Sequence, residues 1–133
     1  MRVGIDSNIL LRALLDDDVQ QSAMSRDVIA SFGPTNVGYI GVTVILELFW
    51  VLKSRYKLGR ELLCDTISSL LTTEGLEIES FESVSRSVTR FAKGGVDFAD
   101  ILLAERNSEA GCIHTVTLDQ NAAAKIPGME LLS

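Results

Sequence analysis

The chain is poor in the residues on which several kinds of chemistry depend. It has one histidine, His114, and two cysteines, Cys64 and Cys112, in 133 residues. The cysteines show neither disulfide-framework nor zinc-type spacing, which excludes a cystine-stapled scaffold and a zinc module. Both lie in apolar patterns and read as reduced core residues of a cytosolic protein. Basic residues are outnumbered, with 12 Lys+Arg against 18 Asp+Glu and a net charge of −6. That balance excludes a non-specific nucleic-acid binder working through a broad basic face, though not a local basic rim. Long apolar runs are missing too: the most apolar window, Val37 to Leu52, is shorter than a membrane span and carries Glu47. The N-terminal "MRVGIDSNILL" holds one basic residue, and Asp6 and Asn8 cut its apolar run, so no export signal is expected. Repeats, linkers and low-complexity tails are absent from the pattern. A cytoplasmic protein of one domain, residues 1–133, with no membrane partner, is the expectation.

What is present is apolar content of 47%, enough for a core without staples. "RVGI" is a short apolar run ending in a turn signal, and "NILLRALL" after it has helical spacing. "DDDVQQSAMSRDVIASF" predicts an amphipathic helix with acids in its first turn, ended by Gly33-Pro34. "NVGYIG" reads as a strand, "TVILELFWVLKSRY" as a long buried helix starting at Thr43, and "GRELLCDTISSLLTT" as a helix after the break at Gly59. "LEIE" is a further strand. "ESVSRSVTRFAKGG" carries a helical stripe of Val84, Val88 and Phe91, and "DFADILLAERNSEAG" opens on Asp97 and closes on glycine. "CIHTVT", "DQNAAAKI" and "MELL" complete a strand, a helix and a strand. Short strands alternating with helices predict an α/β fold with a central, mostly parallel sheet covered on both faces.

Glu47 sits among Val44, Leu46, Leu48, Trp50 and Val51, which predicts a buried carboxylate. Ligands in open parallel sheets bind outside the carboxyl ends of the strands. Asp6 and Asp119 each follow a strand directly, and Asp97 and Asp100 open a helix at i, i+3 spacing. Each acid has an ordinary structural explanation: Asp6, Asp97 and Asp119 suit helix N-caps, Asp100 suits a first-turn position, and Glu47 suits an ion pair with Arg12, Lys53 or Arg55. Only a shared cation explains them together, because carboxylates crowded at one rim repel and raise one another's pKa. Mg²⁺ and Mn²⁺ prefer such oxygen ligands, and an acidic cage of this kind suits phosphodiester hydrolysis.

The stretches "GIDSN", "LELFWVL", "GGVDFADILLAERN" and "TLDQNAAA", in that order over nearly the whole chain, resemble the PIN domain, specifically the VapC-type toxins of toxin–antitoxin pairs. The resemblance implies a Rossmann-like three-layer α/β/α fold. It also implies a Mg²⁺- or Mn²⁺-dependent endoribonuclease, commonly a homodimer, held inactive by a small cognate antitoxin. The family's core acids map onto Asp6, Glu47, Asp100 and Asp119, with Asp97 a frequent additional acid. Asn8 takes the position that supports the first Asp by hydrogen bonding, Ser7 a small hydroxyl position where Thr is commoner, and Thr117 a polar position beside the last acid. Homologues usually read "TFD" where this chain has "TLD".

His114 reads as structural, and a metal mechanism needs no histidine base. Trp50 reads as core or dimer surface before a base-stacking platform. Lys53, Arg55, Lys57 and Arg60 form the densest basic run, a solvated helix end or a phosphate-guiding rim, which Arg86, Arg90 and Lys93 would extend. Two other functions compete. Aspartyl phosphoryl transfer also uses an acidic pocket at strand ends, but "NVGYIG" offers no acceptor Asp and Asn8 stands where a DxD signature needs its second acid. A DNA-binding regulatory complex with the antitoxin is the other, although net acidity places DNA contacts on the partner.

Overall fold

Apolar runs too short for helices alternate with stretches of helical spacing, and the folded chain keeps that order. The computed structural model describes residues 1–132. The elements are β1 (Arg2–Gly4), α1 (Ser7–Leu15), α2 (Val19–Ala30), β2 (Val37–Ile40), α3 (Val42–Ser54), α4 (Arg60–Leu71), β3 (Leu76–Ile78), α5 (Phe81–Ala92), α6 (Phe98–Glu109), β4 (Thr115–Thr117), α7 (Gln120–Lys125) and β5 (Met129–Leu131). Every strand pairing is parallel. Parallel neighbours need a crossover, and α1–α2, α3–α4 and α7 supply the three required. The chain is therefore α/β, with seven helices and short parallel strands among the described residues.

The single sheet expected from the pattern is instead two: one ordered β1-β2-β3, the other β4-β5. Strands this short carry few ladder bonds, and Val3 of β1 and Val116 of β4 stay exposed. The segment "CIHTVT" is consequently not a buried strand. Only Thr115–Thr117 is strand, Cys112 is exposed, and His114 lies outside it, 3.2 Å from Glu130 of β5. Cys64 is half-buried, and burial pushes its thiol pKa up.

Two helix starts also differ from expectation. The acids before α2 lie outside its first turn: Asp18 caps it, accepting from the Gln21 N–H, while Asp16 and Asp17 pair with Arg26 and Arg12. α3 begins at Val42, not Thr43, because its cap comes from elsewhere in the chain. Gly41 brings no side-chain cap, and the Val42 N–H donates to Glu79 Oε1 at 2.8 Å, just beyond β3.

The core fills the space between sheet and helices with Ile40, Ile45, Leu48, Leu52, Leu63, Ile67, Val84 and Leu102. Phe49 stacks on Phe98 with ring centroids 4.2 Å apart, and Phe91 meets both edge-on. That trio joins α3, α5 and the first turn of α6. Gly75 lets β3 begin close to α2: its φ is +87°, and a Cβ there would lie 2.7 Å from the Phe32 backbone. Among the described residues no helix is long and apolar enough to cross a membrane.

Candidate functional site

The helix that carries Glu47 buries Val42, Ile45, Leu48, Phe49, Val51 and Leu52. Thr43, Glu47 and Trp50, spaced i, i+4, i+7, fall on the opposite side and are exposed. The carboxylate expected to be buried is thus at the surface, because the apolar neighbour Trp50 is left in water beside it. Glu47 is nonetheless held in place. Ser7, wholly buried at the start of α1, donates its hydroxyl to Glu47 Oε1 at 2.8 Å.

Asp6 is the N-cap of α1, accepting the Ser7 N–H on Oδ1 at 2.8 Å. The Ser7 hydroxyl oxygen lies 3.5 Å from that same Oδ1. A hydroxyl has one proton to give, and the shorter contact takes it. Two carboxylates from different elements therefore stand around one small donor. Asn8, expected to brace Asp6, makes no hydrogen bond to it among the described residues and instead lines the groove between α1 and α2. Ser7 is the brace.

The second group forms at the N-terminus of α6. Asp97 caps that helix through Oδ1 to the Ala99 N–H at 3.4 Å, and Asp119 caps α7 through Oδ1 to the Ala122 N–H at 2.9 Å. Thr117 Oγ1 accepts the Asp119 N–H at 3.1 Å and so fixes the turn that presents this acid. Asp100, half-buried in the first turn of α6, has its pKa raised by burial first, then by the charges of Asp97 and Asp119. Three acids from two elements thus share one field.

The capping and cation readings turn out to be compatible. In Asp6, Asp97 and Asp119 the cap uses Oδ1 alone, which leaves Oδ2 of each for another partner. Asp97 shares a cleft with Leu46 and Trp50 of α3, the helix that carries Glu47. The acids form two groups, however. Among the described residues no three carboxylate, histidine or cysteine side chains form a ready-made metal cage. The donor chemistry fits a hard divalent cation, being all oxygen and including a carboxyl disfavoured in its charged form by its own neighbours.

The sequence reading passes over Glu79, although the rule that picks Asp6 and Asp119, an acid just past a strand, applies to it equally. It holds the α3 N-terminus that carries Glu47, and its other oxygen lies 3.5 Å from Arg106. Arg106 in turn reaches Ser80 and Glu109, tying α6 to the segment after β3. These residues position the site from behind. Comparison with protein-family models and with curated proteins yields no match.

Proposed function

We propose that the chain is a metal-dependent endoribonuclease of the VapC type, a PIN domain with a three-layer α/β/α arrangement, acting in the cytoplasm as the toxin of a toxin–antitoxin pair. The observation that carries the reading is that Asp97 and Asp119, from two helix starts, both bear electrostatically on the half-buried Asp100, with Asp97 in the cleft that Leu46 and Trp50 of α3 line. Carboxylates so placed weaken the fold unless a cation offsets them. The order and local context of the acids, which resemble the PIN family, supply the rest.

Asp6, Glu47, Asp100 and Asp119 would hold Mg²⁺ or Mn²⁺, with Asp97 as a further ligand. When bound, the cation supplies activation of the attacking water and positive charge for the leaving oxygen. Ser7 orients Glu47, and Thr117 orients Asp119. The Asp6, Asp97 and Asp119 caps fix three of the acids on helix ends, and the Asp6–Glu47 pair and the α6 acids would draw together around the cation. Water adds to phosphorus, the bond to the leaving oxygen breaks, that oxygen takes up the proton the water gives up, and no residue becomes covalently attached. A cognate antitoxin and a second copy of the chain are the partners this reading carries with it.

Purified protein is expected to cleave RNA in Mg²⁺ or Mn²⁺ and to stop in EDTA. Ca²⁺, larger and less demanding in geometry, should support little turnover. Gel analysis of a labelled RNA in the four conditions checks this, and cleavage that persists in EDTA would sink the reading.

A further inference from the structure

The cations of this acidic chain are unevenly engaged. Of its 12 Lys+Arg, Arg2, Arg12, Arg26, Arg86 and Arg106 are ion-paired with carboxylates. Among the described residues, Lys53, Arg55, Lys57, Arg60, Lys93 and Lys125 make no such pair, and Arg90 is committed to the backbone carbonyls of Gly94 and Lys125.

Two of the cations without a carboxylate partner line one depression, Lys53 and Arg60, the latter with its guanidinium 5.9 Å from the centre of the Phe91 ring. Lys53 and Arg60 line a cleft of about 440 Å³ with Gly95, Asp97 and Asn121. Gly95 belongs to a left-handed double-glycine turn, φ +80° at Gly94 and +83° at Gly95. A Cβ on Gly94 would lie 2.9 Å from the Arg60 guanidinium carbon, and one on Gly95 3.4 Å from Lys125 Nζ. At Gly94 glycine thus lets the Arg60 guanidinium lie against the turn, which Asn121 braces by donating to the Gly95 carbonyl at 2.7 Å.

Lys53 and Asp97 also line the neighbouring cleft of about 350 Å³, whose wall is Trp50. Trp50 is 63% exposed, a large apolar surface left in water directly beside the basic rim. A flat aromatic face next to cations is what an unpaired base and its phosphate require together, since stacking tolerates any base and the cations track the backbone.

The geometry points to a single-stranded RNA subsite in which a nucleobase stacks on Trp50 while Lys53 and Arg60 hold the adjoining phosphate. It rests on the ribonuclease reading, because it places the chain of the substrate beside Asp97 and Glu47. The preferred substrate is an unpaired or looped segment; a duplex keeps its bases from the indole.

Trp50 is the sole tryptophan, so its emission reports the contact directly. In EDTA, a short single-stranded oligoribonucleotide should quench that emission saturably, while the same strand annealed to its complement and inorganic polyphosphate should not. By anisotropy of labelled RNA, Trp50→Ala should bind about 5- to 160-fold more weakly and Trp50→Phe close to wild type. Lys53→Ala and Arg60→Ala should each flatten the salt dependence of binding by about 0.7 in log–log slope for every phosphate left without its cation. The inference is overturned by any of four results: no RNA binding in EDTA, binding without quenching, equal quenching by polyphosphate, or indole emission already shielded from acrylamide by a second copy in the free protein. Quenching in EDTA without cleavage in Mn²⁺ removes the nuclease and keeps the subsite. Cleavage without quenching does the reverse.

Discussion

Asp100→Asn is expected to lower RNA cleavage by about 100-fold or more, since even outer-shell partners of a metal cost about 10–100-fold when removed, and yet to melt no lower than wild type in EDTA. The two halves have one cause. Burial and the charges of Asp97 and Asp119 raise the Asp100 pKa in the folded state. A raised carboxyl pKa means that the fold binds the proton more tightly than the unfolded chain does. Its destabilising effect is therefore absent below the ordinary carboxyl value of 3.8, grows as pH rises through the folded pKa, and is fully present above it. Asparagine removes the charge and with it that effect. It also forfeits a favourable first-turn acid, worth about 0.3–1 kcal/mol, so the net change in EDTA at neutral pH is small or stabilising. Thermal melts of both proteins across pH, beside a cleavage assay in Mn²⁺, check the pair. If Asp100 served only the helix end, the variant would melt lower in EDTA and still cleave.

Phe98→Ala should cost about 3–5 kcal/mol, as truncations of buried aromatics do. Phe98 is fully buried, stacked on Phe49 and edge-on to Phe91. Removing it opens a void where α3, α5 and α6 meet, and such rigid helices close a void only in part. The loss is large against a typical stability of about 5–15 kcal/mol. It also reaches the site, because Phe98 lies between the cap Asp97 and Asp100. The variant should therefore lose cleavage at temperatures where its far-ultraviolet circular dichroism still reports a folded chain. Leu62→Ala, at an exposed position on α4, should change stability by less than about 0.5 kcal/mol. Chemical denaturation of the three proteins compares them, and a Phe98→Ala loss as small as that of Leu62→Ala would show that the trio does not hold the helices together.

Local signals carry most of the element order. The break at Gly59, the helix opening on Asp97 and the double glycine at Gly94-Gly95 depend on nearest neighbours and are readable in a linear chain. Pairing between strands is not local, and nothing within "RVGI" or "CIHTVT" says that β1 and β4 belong to separate sheets. The start of α3 escapes a local reading for the same reason, since its capping acid, Glu79, lies 37 residues away. Glu47 shows the limit of reading one helix alone. Its apolar neighbours suggest burial, but α3 turns Trp50 outward and the carboxylate goes with it. Asp6 and Asp119 are legible as capping residues past strand ends, and Asp97 as the cap that opens a helix. That Ser7, and not Asn8, ties Asp6 to Glu47 depends on how α1 packs against α3, which spacing does not encode.

The central claim is that the Asp6–Glu47 group and the Asp97–Asp100–Asp119 group serve one cation site. It is tested most directly by the Mn²⁺-dependent rise in melting temperature of wild type, Asp6→Ala, Asp100→Asn and the double variant, measured at matched Mn²⁺ with EDTA controls. Binding to the native state alone raises stability as RT ln(1 + [L]/Kd), so the rise reports affinity. With one shared site, each single substitution removes most of the rise and the double removes little more. Two independent sites would instead give partial losses that add, and a full rise retained by either single variant would contradict the claim outright.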